Sequence, residues 1–522
     1  MKIERTKNAS RNMIFGFLLK LYQIILPFFM RTAMIYLMGV QYLGLNSLFT
    51  SILQVLNLAE LGVGNAMVYC MYKPVAEDNQ REICALMRLY RTYYRVIGGV
   101  IAVLGLILIP FLPNLIKKDL PSELNIYILY LLNLTATVFS YWLFAYKNCL
   151  LLAYQRTDIA SKITIITNTV QYVLQFLVLC FWKNFYFYVI VVLITQISTN
   201  IITAIVTTKV YPNYKPVGKL DRIIVKDINQ RIRDLFTSKV GYVILNFADT
   251  IVISAFLGLT MLAIYQNYFY ILNSIIGLVS VIFGACIAGI GNSVIVETKE
   301  KNYNDLKKFT FIICWIAGEC TCCLLCLYQP FMKVWVGEEL KLAFHAVICF
   351  CIYYYIYEIN QLLNLYKDAA GIWHEDRYRP LVTALSNLGM NLIMVQFLGI
   401  YGVILSTVLS MLFIGIPWLL HNLFTVLFER SQLRNFIRQI VYYTLISFCV
   451  CAITNFICSF ICLGDWTTII LRAVICLIIP NILFLCIYYK RKEFKESVLL
   501  IDRMTNYKLH LSKVLIRKED CK

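Results

Sequence analysis

An all-α, polytopic membrane protein of about fourteen helices is the fold class this sequence predicts. Three observations carry the prediction. Of 522 residues, 60% are hydrophobic and only 15% charged, too little polar surface for a chain of this length to face water. The apolar residues gather into runs, most of them long enough to cross the hydrocarbon layer. The cations fall almost wholly in alternate loops, as they do in multi-pass membrane proteins.

Taken in order, membrane segments are expected near residues 12–38, 42–71, 96–112, 124–146, 163–182, 187–208, 236–257, 264–296, 309–328, 343–366, 381–397, 403–424, 439–462 and 468–489. The third and eleventh are short, which leaves twelve or thirteen spans open. With the N-terminus in the cytoplasm, the loops on that side hold 40 of the 48 Lys and Arg. The opposite side holds 5 (Lys117, Lys118, Lys183, Lys333 and Lys341), and Lys20, Arg31 and Arg472 lie within segments. Both termini are then cytoplasmic. The net charge of +19 is accordingly topological and argues against a nucleic-acid partner. Lys2, Arg5, Lys7 and Arg11 ahead of an apolar run resemble a signal peptide. That run is too long and lacks a small-residue cleavage site, so it reads as an uncleaved first span.

The chain divides into a lobe of six spans (1–208), a cytoplasmic amphipathic linker (209–235), a second lobe of six spans (236–424), an added helix pair (436–489) and a basic cytoplasmic tail (490–522). The second lobe reads as a diverged copy of the first. Gly39-Val-Gln-Tyr-Leu-Gly44 corresponds to Gly258-Leu-Thr-Met-Leu-Ala263, and Gly64-Asn65 to Gly291-Asn292. A duplication in one orientation predicts two pseudo-symmetric lobes around a central polar cavity. In the linker Leu220, Ile224, Ile228, Ile232 and Leu235 recur at helical spacing, so it lies on the inner leaflet or forms a solvated basic connector. In the tail Phe494, Val498, Ile501, Leu509 and Val514 stand among ten cations, a pattern that fits anionic lipid or a purely topological tail. No outside loop exceeds about fifteen residues, which argues against a large extracytoplasmic domain.

The candidate site is read from polar faces on membrane helices. Lys20, Gln23, Pro27 and Arg31 fall within about 80° of one another on the first span. Asn46, Thr50, Asn57, Glu60 and Gly64 form a similar stripe on the second. Asn133, Thr137, Ser140 and Asn148 follow on the fourth, and Thr164, Asn168, Gln171 and Gln175 on the fifth. Tyr242, Asn246 and Asp249 lie on the seventh, Gln266, Tyr270 and Asn273 on the eighth, and Tyr354, Glu358 and Gln361 on the tenth. Each stripe alone could be glue between helices. Their number points to a wet interior lined by Gln23, Asn57, Glu60, Asn168, Gln171, Asn273 and Tyr354, in which Arg31 and Lys20 could contact a substrate phosphate. Arg31 could instead form a structural ion pair, and Lys20 could snorkel to headgroups. Asp249, Glu319 and Glu358 are intramembrane carboxylates that could couple ions or pair with cations. Arg472, in the added pair, reads as a local structural charge.

Nineteen cysteines fall almost wholly within spans or cytoplasmic loops, which speaks against a disulfide framework. Cys320, Cys322, Cys323 and Cys326 contain a C-x-x-C spacing. They sit in mid-helix without a nearby His and read as small packing residues rather than a metal centre. No cofactor is expected.

The run Arg31–Tyr72 contains Tyr42-Leu-Gly-Leu-Asn-Ser-Leu-Phe-Thr-Ser-Ile-Leu-Gln-Val-Leu-Asn-Leu-Ala-Glu-Leu-Gly-Val-Gly64 and is followed by Lys73-Pro-Val-Ala. It resembles the Wzx-type polysaccharide flippases of the multidrug/oligosaccharidyl-lipid/polysaccharide export superfamily. Trp373-His-Glu-Asp-Arg-Tyr-Arg-Pro380 and Asp249-Thr-Ile-Val-Ile-Ser254 extend the likeness over nearly the whole chain. The resemblance implies a V of two six-helix lobes in a bacterial cytoplasmic membrane. It also implies a substrate of undecaprenyl-pyrophosphate-linked oligosaccharide, moved from inner to outer leaflet for O-antigen, capsule or exopolysaccharide. A polysaccharide polymerase and chain-length machinery would be partners. On matching position Arg31 would engage the pyrophosphate; Lys20 has no clear match.

Two rival classes remain. A multidrug exporter of the same superfamily would favour a carboxylate-dominated cavity without Lys20 and Arg31. A membrane polymerase, ligase or acyltransferase would need a long outer loop or a nucleophile-base pair, yet His345, His374, His421 and His510 are scattered. The expectation is a transporter, not an enzyme.

Overall fold

The computed structural model describes residues 5–60 and 63–504, and no strand occurs among them. The chain forms two compact units, Met1–Gln266 and Asn267–Lys522.

In the first unit, α1 (Arg5–Leu37) carries Pro27 inside it. The stretch expected as one second span is broken. α2 (Val40–Leu56) runs into a 3₁₀ turn, Asn57–Glu60, and the chain resumes as α3 (Val63–Ala76). α4 (Gln80–Leu108) is capped by Asn79, whose side chain accepts from the Glu82 amide. α5 (Ile126–Trp142) is capped in the same way by Asn125. It bends by 46° into the segment containing α6 (Asn148–Ala153), with Phe144 in the left-handed region at φ 60°. The predicted face Asn133–Asn148 is therefore not a single helical face. α7 (Thr157–Phe181) and α8 (Phe185–Val210) follow as straight spans.

α9 (Arg222–Leu257) joins the predicted linker and the seventh span in one helix. No proline separates them, and the linker's apolar spacing continues into the span. Of the linker stripe, Ile228 is fully buried; α9 packs on α2 and α3, and the Tyr93 hydroxyl of α4 donates to the neighbouring Asn229 at 2.6 Å. The Leu235 side chain lies outside the described residues. α10 (Leu259–Val296) begins in the first unit and continues into the second.

The second unit continues with α11 (Lys299–Val336), α12 (Phe344–Ala369), α13 (Arg379–Leu398) and α14 (Ile400–Ser410). A π-turn at Met411–Gly415 leads into α15 (Ile416–Val426). α16 (Arg430–Ser459) and α17 (Asp465–Tyr488) form the added pair and pack on α11. α18 (Lys492–Met504) is the start of the basic tail. Its Phe494 and Val498 join Phe311, Tyr443 and Tyr488 in a buried cluster, so this apolar face seats on protein. Leu509 and Val514 lie outside the described residues.

Among the described residues, twelve helices are long and apolar enough to cross a membrane, thirteen with the bent pair. Large side chains such as Ile166 and Phe413 stay 63% and 68% exposed in mid-span, which lipid accepts and water would not. The protein is a multi-pass membrane protein. The same pairings recur in each unit: α4 on α5 and α7 on α8 in the first, α11 on α12 and α13 on α14 in the second.

Small residues set the closest approaches. A Cβ on Gly44 of α2 would lie 2.2 Å from the Leu259 carbonyl oxygen, and one on Gly402 of α14 2.4 Å from that of Met394. Backbone cannot swing aside as a side chain does. Gly44→Ala and Gly402→Ala should therefore each destabilise by about 1–3 kcal/mol, read as a lowered melting temperature of the purified protein. Gly99→Ala meets nothing within 4 Å and should leave the melting temperature unchanged or slightly raised.

Candidate functional site

α1 is held along α7 at successive levels. The Lys162 ammonium sits 4.2 Å from the Phe15 ring centre, and the Tyr22 and Thr169 hydroxyls share a 2.8 Å hydrogen bond. The Tyr22 and Tyr172 rings lie 6.2 Å apart. This register sets where Arg31 stands, one turn beyond Pro27. Arg31 is half-buried, and its charge reaches the phenol of Tyr188 on α8. Tyr188 in turn faces the side chain of Gln175, which is 1% exposed. The Gln171 amide donates to Gln175 at 3.4 Å, and the Thr195 hydroxyl donates to Gln171 at 3.0 Å. The seam of α1, α7 and α8 thus brings together Arg31 and Gln171 in one polar patch within an apolar bundle.

Other predicted residues lie nearby or apart. Lys20 sits about 16 Å down the axis of α1 from Arg31, half-buried and with no ion-pair partner among the described residues. Gln23 is exposed, and Asn168 is half-buried one turn before Gln171. Asp249 is buried on α9, which packs on α2. Asn273 is exposed on α10.

Glu60 is held by tyrosines. At the break after α2 its two carboxylate oxygens accept from the Tyr94 hydroxyl at 2.7 Å and the Tyr141 hydroxyl at 2.8 Å. Tyr90 donates to Tyr94 at 2.7 Å. Gly64 leaves room for this cage, since a Cβ there would come within 3.2 Å of the Tyr90 oxygen. Asn57, in the same turn, keeps a buried Oδ1 without a hydrogen-bond partner.

In the second unit, Tyr354 and Glu358 of α12 are 0% and 1% exposed. Neither the Tyr354 hydroxyl nor either oxygen of Glu358 has a hydrogen-bond partner, and the buried oxygens of Glu319 on α11 are in the same position. Both carboxylates lie within electrostatic reach of Cys320 between them. A buried carboxylate without donors is costly as a bare anion, so this pair is suited to exchange a proton or meet a cation.

Sequence reasoning missed three groups. The tyrosines of the Glu60 cage carried no signal beyond an i, i+4 pair at Tyr90 and Tyr94. Asp376 and Arg379, inside the Trp373–Pro380 run, form a buried bidentate pair at 2.6 and 2.7 Å. Arg379 also donates to Asn364, and Asp376 accepts from Asn422, tying α12, α13 and α15 together. Asn387 and Asn391 of α13 join Ser406 and Thr407 of α14 in a fully buried network. Many predicted stripe residues are also satisfied within their own helix. Thr50, Thr137, Thr164 and Asn246 each donate to the carbonyl four residues earlier.

Comparison with solved structures places this geometry in a fold family. The chain superposes on lipid II flippase MurJ in an inward closed conformation with a TM-score of 0.65, at 15% identity, covering 91% of this chain and 99% of that one. The chain shares the fold of that protein. An inward-facing MATE family multidrug resistance transporter of the MOP superfamily gives a TM-score of 0.59 at 13% identity, covering 80% of this chain and 99% of that one. A eukaryotic MATE transporter gives 0.54 at 11% identity, with 83% and 99% covered. All three are transporters or flippases rather than enzymes. No protein-family model matches the chain, and no curated protein matches it by sequence.

The tyrosine cage makes a prediction about Glu60. Glu60→Gln keeps one acceptor and should cost less stability than Glu60→Ala, which strands two buried hydroxyls at about 1–3 kcal/mol each. Tyr94→Phe with Tyr141→Phe should lower the melting temperature by a comparable amount. Equal melting temperatures across this series would show that the cage contributes nothing to the fold.

Proposed function

We propose that the protein moves a polyprenyl-pyrophosphate-linked oligosaccharide from the inner to the outer leaflet of a bacterial cytoplasmic membrane, by alternating access. The observation that carries this reading is Arg31, a guanidinium on a membrane helix beside the Gln171–Gln175–Thr195 chain, with Lys20 on the same helix. A diphosphate is rejected by hydrocarbon, while its polyprenyl chain prefers to stay there. A cation embedded between lipid-facing helices serves both. The planar fork of Arg31 suits bidentate pairing with phosphate oxygens, and the glutamine amides and hydroxyls on α7 and α8 suit sugars. The likeness to MurJ, a lipid II flippase by name, supports a lipid-linked substrate. Both termini are cytoplasmic in this reading, and a polysaccharide polymerase with its chain-length partner takes over the product.

Glu319 and Glu358 are the proposed ion-coupling pair, with Asp249 a further candidate. Both Glu319 and Glu358 lie in the second unit, whereas Arg31 lies in the first.

In proteoliposomes loaded with a labelled lipid-linked oligosaccharide, Arg31→Ala should reduce leaflet transfer by about tenfold or more, with folding intact. Arg31→Lys should fall between, keeping the charge but losing the fork. Full transfer by the Ala variant, or preferred export of a hydrophobic organic cation, would replace this reading with that of a multidrug exporter. Glu358→Gln should leave substrate binding unchanged and remove the response of transfer to an imposed proton or sodium gradient. An unaltered gradient response would take Glu358 out of the coupling role.

A further inference from the structure

Five of the cysteines scattered through the sequence converge in the second unit. Cys322 and Cys326 of α11, Cys451 and Cys458 of α16 and Cys476 of α17 form one cluster, each no more than 2% exposed. The Sγ atoms of Cys322, Cys326 and Cys476 all lie within 4.8 Å of one another. Cys322 and Cys326 are one turn apart on a single helix face, a chelating arrangement. Three sulfurs bound at about 2.3 Å to one ion lie about 4 Å apart, so small side-chain rotations would close the set.

Packing alone would explain buried thiols. It does not explain the cation beside them. Arg472 stands one turn before Cys476 on α17, within the membrane segment. It donates to the Cys326 carbonyl at 3.5 Å and the Ile461 carbonyl at 3.0 Å, while its Nε is buried without a partner. No carboxylate pairs with it among the described residues, and its charge reaches Cys458. The Thr454 hydroxyl is fully buried beside Cys322. A guanidinium within a membrane segment is stabilised by an anion, and among the described residues gathered here the groups that can become anionic are thiols.

We propose that Cys322, Cys326 and Cys476 form a binding site for a thiophilic d¹⁰ metal ion, with Arg472 as the counter-charge. The charges close. A divalent ion such as Zn²⁺ on three thiolates leaves −1, and a monovalent ion such as Cu⁺ on two thiolates also leaves −1. Arg472 cancels either one, so the assembly is neutral in the bilayer. Binding forms metal–sulfur bonds and releases three or two protons, with no change in oxidation state. Soft thiolates with no nearby imidazole favour these ions over Mg²⁺ or Ca²⁺. The site joins α17 to α11 and would staple the added helix pair to the rest of its unit. It is independent of the phosphate contact at Arg31.

The test uses full-length protein in nanodiscs, reduced and metal-stripped under anaerobic conditions. Titration with Cd²⁺ as a spectroscopic probe should give thiolate-to-metal charge-transfer absorption saturating at one ion per chain. Competition titrations with Zn²⁺ and with Cu⁺ then show which ion is held more tightly. Cys322→Ala with Cys476→Ala should weaken binding by about a hundredfold or more, and Arg472→Met by about tenfold. Cys180→Ala with Cys486→Ala, both exposed, should change nothing. Wild-type protein that stays monodisperse yet gives no charge-transfer band would overturn the proposal. So would an affinity that Cys322→Ala with Cys476→Ala leaves intact.

Discussion

A fixed positive charge on the first membrane helix is the constraint on which the functional reading depends. Placing Arg31 within the bilayer costs roughly 2.5–3.5 kcal/mol on insertion scales, and the fold surrounds it with polar groups rather than with lipid alone. Proline one turn earlier, the clamp of α1 on α7 and the linked amides of Gln171 and Gln175 define where that charge stands. An anchor helix needs none of this.

The two units deal with ionisable groups in different ways. In the first, Glu60 accepts from two tyrosine hydroxyls at a break in the helix. In the second, Glu358 and Glu319 keep buried oxygens without donors, and Arg472 keeps a buried N–H without an acceptor. Groups left in that state are expensive, and the expense is tolerable where an ion or proton arrives to meet them. Asp376 and Arg379 show the opposite solution, a buried pair whose remaining groups are met by Asn364, Asn422 and Lys367, which pins three helices.

Much of this was readable from residue order because the membrane imposes one rule, that long apolar runs become helices. The run at 163–182 and that at 187–208 correspond closely to α7 and α8. The breaks were not readable. Asn57–Glu60 leaves the α-helix inside a run that is apolar on both sides, and Phe144 turns left-handed with no glycine to announce it. The linker and seventh span merge into α9 because helical periodicity continues through a change from basic to apolar composition. At the site, Arg31 and Gln171 were legible as charge and amide on helical faces. The Tyr90–Tyr94–Glu60–Tyr141 cage was not, since it joins residues from distant parts of the sequence. The polar stripes overstated the wet surface for a simple reason: a threonine at a stripe position can return its proton to its own helix.

The most direct test of the account is a cryo-electron microscopy map of the protein with a bound polyprenyl-pyrophosphate analogue. The account predicts diphosphate density within hydrogen-bonding distance of the Arg31 guanidinium, with the isoprenoid chain leading out between lipid-facing helices. Diphosphate density bound elsewhere, with Arg31 directed into acyl chains, would contradict it.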